Sequence, residues 1–400
     1  MILVTITLGT LALLLLLPLV SDLIALARLP LRRRRAEPAG SELPRLLFLV
    51  PAHDEELLIG RTLLSLQQLD YPADRYDVLV VADNCTDRTA EIARNTGVTC
   101  LERHEPTLRG KPRTIAWALE RIDLAGYDGV VITDADSLLD PGFARGIAAH
   151  APIEGKVLQC YNDVENRTDS ALTRMGAVFS AVRCVLMNEL KARNGLNVPL
   201  GNGLCLGTEV LGKYGWNAFS ICEDWELYAQ LTGYGVRLEN ATGARIFSQE
   251  TRSLRQSSTQ RQRWAAGKIL VLRQYGAKLL RSRRIGLHQK LDALAELTAP
   301  GPAVHLGLVA LALAVDYTVS PPFAHGLALA LLLPLARTAL YSALAIARGP
   351  EPVRTALAFL YLPFYTAWRL GIQALALTMV GSSEWIRTAR HRAAPRQAGG

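Results

Sequence analysis

The sequence predicts an α/β domain, a parallel sheet covered by helices on both faces, set between strongly apolar helical segments. Three observations carry that expectation. Short apolar runs alternate with stretches of helical spacing between Pro44 and about Ser253. Polar clusters collect just past those runs, where the carboxyl ends of parallel strands would meet. Nearly uncharged segments fill residues Ile2–Val20 and much of the chain past residue 290.

The elements follow in order. Ile2–Val20 is uncharged and leucine-rich, close to the length of about 20 residues that crosses a hydrocarbon core. Arg28 and Arg32, Arg33, Arg34 and Arg35 follow the apolar run instead of preceding it. The segment therefore reads as an uncleaved anchor whose following chain lies in the cytosol. Strands are expected at Leu46–Val50, Val78–Ala82, Val98–Glu102 and Gly129–Thr133. Helices are expected over Leu57–Leu69, through Ala93, and over Arg113–Arg121. Beyond residue 290, Pro302–Val315 runs toward Tyr317 and breaks at Ser320-Pro321-Pro322. Ala324–Ala347 holds Pro334 and Arg337, and Ala356–Val380 holds Arg369 at its middle, where a guanidinium in lipid is costly. Two crossings and a last segment lying at the interface are expected there. The chain thus divides into an N-terminal anchor (1–28), a catalytic domain (44–253), interfacial helices (254–290), membrane segments (291–386) and a basic tail (387–400).

Composition narrows the class. The 400 residues carry a net charge of +8, from 44 basic and 36 acidic side chains. The basic clusters flank apolar segments, including Arg281, Arg283 and Arg284, which suits membrane flanks and argues against a nucleic-acid partner. The six cysteines never stand at C-x-x-C spacing, so neither a zinc site nor a disulfide framework follows, and a reduced environment is expected.

The polar clusters carry the chemistry. Pro51-Ala52-His53-Asp54-Glu55-Glu56 follows the first strand, Asp83-Asn84-Cys85-Thr86-Asp87 the second, and Asp134-Ala135-Asp136 the fourth. Asp87 and Glu55 read equally well as helix caps. Asp134 and Asp136, two apart at a strand end, can reach a hard divalent cation carried by phosphates, or can simply cap and turn the chain. Gly110-Lys111 before a helix suits phosphate contact. Gly201 to Gly207, "GNGLCLG", has the wrong spacing and setting for a dinucleotide fingerprint. Glu223 and Asp224 open a helix. They suit its N-terminus, or Asp224 serves as a general base with Glu223 assisting.

Taken in order, "VPAHDEE", "ADNCTD", "GK", "DAD", "ED" and "QRQRW" resemble glycosyltransferase family 2. The likeness is to its membrane-integrated branch, which includes synthases of cellulose, hyaluronan and chitin-like oligosaccharides. It runs from the N-terminal anchor to about residue 280. The resemblance implies a GT-A-like nucleotide-sugar-binding domain with transmembrane helices at both ends of the chain. It further implies that Pro51, His53 and Glu55 border the nucleotide, Asp83 holds the base, and Lys111 sits near the nucleotide. Asp134 and Asp136 would face the diphosphate and a Mg²⁺ or Mn²⁺ ion, with Arg263 on the diphosphate. Asp224 would be the base of an inverting single displacement. Gln260, Arg263 and Trp264 match the family's Q-x-x-R-W signature. Gln260 and Trp264 would meet the acceptor, with Gly201 and Asn202 assigned to that side too. Cys222 stands where the family usually has threonine, and the C-terminal apolar segments are fewer than a secretion channel needs.

The expected function is therefore transfer of a sugar, from a UDP-linked or similar donor in the cytosol, to a glycan or glycolipid acceptor at the plasma membrane. A single-addition enzyme acting on a polyprenyl phosphate or other lipid is the rival within that class. A transport or scaffold protein that only senses nucleotide is the rival outside it, and it leaves Asp224 and Trp264 without a role. Arg261 reads as an ordinary interfacial charge.

Overall fold

The computed structural model describes residues 2–28, 42–319 and 326–379. Arg32–Arg35, the break at Ser320-Pro321-Pro322 and the basic tail 387–400 lie outside the described residues.

The chain opens with α1 (Ile2–Arg28) and then forms β1 (Leu46–Ala52), α2 (Ile59–Gln67), β2 (Tyr76–Asp83) and α3 (Thr89–Asn95). β3 (Thr99–Arg103), α4 (Lys111–Leu119) and β4 (Gly129–Ile132) follow. α1 runs eight residues past Val20, whereas from β1 to β4 each element lies within two residues of the expected bounds. The reason is plain in β1: Leu46, Phe48 and Val50 point into one apolar layer and Leu47 and Leu49 into the other. That two-sided burial makes the strand read as an unbroken apolar run. α2 buries Ile59, Thr62, Leu63 and Leu66, the spacing of one helical face.

The expected all-parallel sheet is corrected. After β5 (Leu138–Leu139), α5 (Phe143–Ala148), β6 (Val157–Val164), α6 (Ala171–Ala181) and α7 (Asn188–Arg193), the chain forms β7 (Leu204–Gly207), α8 (Thr208–Tyr214), α9 (Glu223–Gly233) and β8 (Leu238–Ser248). The eight strands lie in the order β3-β2-β1-β4-β7-β6-β8-β5. β7 runs antiparallel to both β4 and β6, and β5 antiparallel to β8, so the sheet is mixed. β7 is buried on both faces like its parallel neighbours. Its hydropathy is therefore the same whichever way it points, and direction is set by the long connection that enters it.

α10 (Leu254–Arg281) begins where the Ser253 side chain accepts from the Gln256 N–H. It leads to α11 (Leu287–Thr298), α12 (Pro302–Val319), α13 (Gly326–Arg348), α14 (Pro352–Ala358) and α15 (Leu362–Ala376). Among the described residues, one helix, Gly9–Arg28 of α1, is long and apolar enough by itself to cross a membrane. α11 and α12 pass the same test only as a pair, bent by 86° at their junction. α1 packs on α11, α12 and α13. It is pinned by polar contacts: Ser21 Oγ donates to Asp292 Oδ1 at 2.7 Å, and Arg337 Nε donates to Asp22 Oδ2 at 2.7 Å. Lys191 on α7 ion-pairs with Asp292 at 3.0 Å and with Glu296, fixing the α/β domain to α11.

Candidate active site

The strand ends converge on one cavity of about 1180 Å³, lined from the sheet rim to α10 and on to the C-terminal helices. Each residue singled out above as a site residue lines it: Pro51, His53, Glu55, Asp83, Lys111, Asp134, Asp136, Gly201, Asn202, Glu223, Asp224, Gln260, Arg263 and Trp264.

At the β1–β2 edge, His53 Nδ1 donates to the Asp83 carbonyl at 2.6 Å. The Asp83 carboxylate is buried and accepts from Arg103 Nη1 at 2.5 Å and from Asn84 Nδ2 at 2.8 Å. Arg103 was not singled out in the sequence, although the ladder register sets it directly beside Asp83. Glu55 lies in the turn into α2, its carbonyl accepting from the N–H groups of Leu58 and Ile59. Asp87 accepts from the Thr89 N–H at 2.9 Å one residue before the N-cap of α3, Arg88, so it turns the chain into the helix without capping it. Sequence spacing also missed that one ligand atom each of His53, Asp54 and Cys85 lies within 4.8 Å of the others. Burial pushes the Cys85 thiol up to about 11, so it stays protonated at neutral pH.

At the centre, Gly110 takes φ of 110°, which a side chain rarely tolerates, and turns the chain into α4 so that Lys111 faces the rim. Lys111 Nζ donates to Asp134 Oδ1 at 2.6 Å and lies 3.6 Å from Glu223 Oε1. Burial pulls the Lys111 ammonium's pKa down, but Asp134 and Glu223 more than offset it and leave it above the ordinary lysine value. Burial raises the Glu223 carboxyl and the nearby Asp224 charge adds to that, with Lys111 opposing; the net is a raised pKa. Asp136 is buried and lines the same cavity.

The "GNG" turn serves as a spacer between carboxylates. Asn202 Oδ1 accepts from the Asp134 N–H at 3.0 Å, and its amide donates to Ser137 Oγ at 2.8 Å and Ser248 Oγ at 3.0 Å. A side chain on Gly201 would come within 3.9 Å of Asp224 Oδ2. Asp224 Oδ1 accepts from the Trp225 N–H at 2.9 Å, and Cys222 Sγ lies 3.6 Å away. Asp224 Oδ2 is thus the oxygen turned toward Gly201.

α10 closes the cavity. Trp264 keeps 41 % of its surface exposed, leaving an indole face accessible. Arg261 corrects the sequence reading of it as an ordinary interfacial charge. Its Nη2 donates to Glu250 Oε1 at 2.7 Å, its Nε donates to Ser257 Oγ at 3.2 Å, and its guanidinium lies 4.8 Å from the Trp264 ring centroid. Arg261 therefore props the indole.

Residues 44–267 match the model of a family described as glycosyltransferase like family 2. The chain belongs to that family. Curated relatives within reach of it include a probable glycosyltransferase, YdaM, of Bacillus subtilis, 26 % identical over 61 % of this chain and 60 % of the relative. A beta-monoglucosyldiacylglycerol synthase of Synechocystis is 27 % identical over 56 % of this chain and 48 % of its own length. The chain thus spans about half to three-fifths of the curated relatives it matches. Among solved structures, the mannosyltransferase PcManGT of Pyrobaculum calidifontis, in complex with GDP-Man and Mn²⁺, superposes with a TM-score of 0.61 at 21 % identity. That likeness covers 93 % of this chain and 98 % of the other, so the two share a fold along nearly their whole length. The GT-A-like domain with a mixed sheet is the glycosyltransferase family 2 architecture seen here.

Proposed function

We propose that this chain is a membrane-bound inverting glycosyltransferase that moves a sugar from a nucleoside diphosphate donor, UDP-linked by first expectation, to a glycan or glycolipid acceptor. The observation that carries the reading is the contact chain Asp134–Lys111–Glu223 lying beside Asp224 in a cavity closed by Trp264. Lys111 and Arg263 meet the leaving diphosphate, and Pro51, His53, Glu55 and Asp83 border the nucleotide. Asp224 takes the proton from the acceptor hydroxyl as its oxygen bonds to the anomeric carbon and the bond to diphosphate breaks. Proton acceptance of this kind contributes about 10²–10⁴ in rate. Trp264 and Gln260 hold the acceptor, with Gly201 and Asn202 keeping its path to Asp224 open.

Asp134 and Asp136 supply carboxylate oxygens, hard donors that fit Mg²⁺ or Mn²⁺ better than the sulfur-containing His53–Asp54–Cys85 group does. A cation bound there would neutralise charge developing on the diphosphate.

Membrane attachment is supported by an inverted surface pattern. Leu311, Leu333, Leu340, Phe364 and Leu375 are exposed on α12, α13 and α15, whereas Asp22 and His305 are buried among the same helices. Apolar faces outside and ionisable groups inside suit lipid as the solvent. We read α1 and the C-terminal helices as a multi-pass anchor, with the catalytic domain in the cytosol at the plasma membrane. The synthase named among the relatives suggests a lipid-bearing acceptor. The test is a panel of nucleotide sugars incubated with the purified chain, Mg²⁺ or Mn²⁺ and membrane lipid extract. Release of nucleoside diphosphate from at least one donor is expected, and Asp224→Asn should bind that donor without transferring from it. No release with any donor sinks the transferase reading.

A further inference from the structure

Beyond the sheet rim, the cavity continues between α1, α12, α13 and α15, where Asp22, His305, Arg337, Tyr341 and Arg369 line it. This end lies away from the strand ends where Lys111 and Asp134 gather. Its chemistry is unbalanced. Arg337 spends its Nε on Asp22, leaving a buried Nη2 with no hydrogen-bond partner. Arg369 has a buried Nη1 without a partner and, among the described residues, makes no salt bridge. His305 is 5 % exposed, and its Nε2 is also buried without a partner.

Arg369 and His305 are joined through Gly301. A side chain on Gly301 would lie 3.5 Å from Arg369 Nη2, and the Gly301 carbonyl accepts from the His305 N–H at 3.0 Å, one helical turn along. Two guanidinium groups, one of them paired with Asp22, and an imidazole thus line one cavity inside helices whose outer faces are apolar. Leaving buried donors and a cation uncompensated is expensive, and an anion would relieve it. A phosphate matches the guanidinium fork with two parallel hydrogen bonds, which a neutral headgroup cannot do.

We propose that Arg369, Arg337 and His305 hold the phosphate of an anionic lipid acceptor. The phosphate is an anchor, while a hydroxyl further along the headgroup reaches Asp224. Arg261, which props Trp264, lines the same cavity as Arg369. This rests on the transferase reading above and narrows its acceptor from any glycan or lipid to a phosphate-bearing lipid.

The test uses the full chain in detergent with three matched probes: a short-chain phosphatidic acid, the diacylglycerol with the same acyl chains, and inorganic phosphate. Binding is read by native mass spectrometry and tryptophan fluorescence. Phosphatidic acid is expected to bind at least about tenfold more tightly than either other probe, the scale of one charged hydrogen-bonding partner. Arg369→Gln should erase that preference and Arg369→Lys should keep part of it, with melting temperatures confirming that both variants fold. Equal binding of phosphatidic acid and diacylglycerol by the wild type overturns the proposal. So does a preference that survives Arg369→Gln. Inorganic phosphate binding as tightly as phosphatidic acid overturns the lipid assignment in favour of a free anion. Nucleotide-sugar binding by the same wild-type preparation reports on the donor reading, so failure of one is told apart from failure of the other.

Discussion

Lys111 and Asp134 meet across 2.6 Å, joining the first residue of α4 to the second residue beyond β4. With Glu223 at 3.6 Å, this one ammonium serves two carboxylates from separate elements at the mouth of the sheet. A side chain so placed can balance either carboxylate, or turn to an incoming phosphate.

Lys111→Met should therefore lower turnover by about 10²-fold or more, the scale on which loss of one donor to a developing oxyanion is felt. It should also move a pH profile. Burial already holds the Glu223 carboxyl above its usual range, and Lys111 is the largest influence pulling it down. Without the lysine, Glu223 ionises at still higher pH, so any limb of the pH–rate curve that reports it should shift to the alkaline side. A profile with an unmoved limb would show that Glu223 does not titrate in the reaction.

Gly267 decides how closely α10 seats on the start of α9. A Cβ there would stand 2.4 Å from the Cys222 Cβ, a contact no side chain accommodates without movement. Gly267→Ala should push the helix bearing Gln260, Arg263 and Trp264 away from Glu223 and Asp224. The expected result is a folded protein with a reduced kcat, whereas Gly276→Ala further along α10 should leave transfer near the wild-type rate. Equal kcat for Gly267→Ala and wild type would show that the spacing does not matter.

The buried Asp83–Arg103 pair calls for a different measurement. Arg103→Leu strands the Asp83 carboxylate, which is only 4 % exposed, without its cation. Loss of about 3–5 kcal/mol is expected, as for other broken buried pairs. Asp83→Asn combined with Arg103→Leu should recover part of that stability, and denaturant titration of the four proteins gives the coupling.

Lys268 on α10 provides a test of stability against pH. Burial lowers its pKa to about 8, while its ammonium donates to the Ala299 carbonyl at 2.5 Å and lies over Trp225. An unfolded chain would hold that proton up to about 10.5. Between those values the unfolded state binds more protons than the native one, so this group makes stability rise with pH from about 8 upward. The cost of burying the charge is fully present below pH 8. Lys268→Met should flatten the rise in melting temperature across that window; an unchanged slope would assign the rise to other groups.

Much of the candidate site is legible in the sequence. Asp134, Asp136 and Asp224 each stand beside a readable strand end or helix start, and the Q-x-x-R-W residues inside α10 are read from their motif; those local signals do not depend on what packs against them. Arg103 escaped notice because a lone arginine at the end of a short strand looks like a solvated charge. Only the register of β2 on β3 sets it beside Asp83. Arg261 was misread for the same reason, since Glu250 and Trp264 had to be folded around it before it ceased to be surface.

The alternation of buried strands and amphipathic helices, the apolar segments flanking the α/β domain, and the identity of the groups on the rim are written in the residues themselves. These follow from periodicity and residue type, which act over a few neighbouring residues. Tertiary structure alone decided that β7 runs against its neighbours. It also decided that Lys111 lies between Asp134 and Glu223, and that Arg337, Arg369 and His305 line one cavity. Each of those depends on segments far apart in the chain being packed together, and burial, which is all that apolar patterning reports, does not say which partner does the burying.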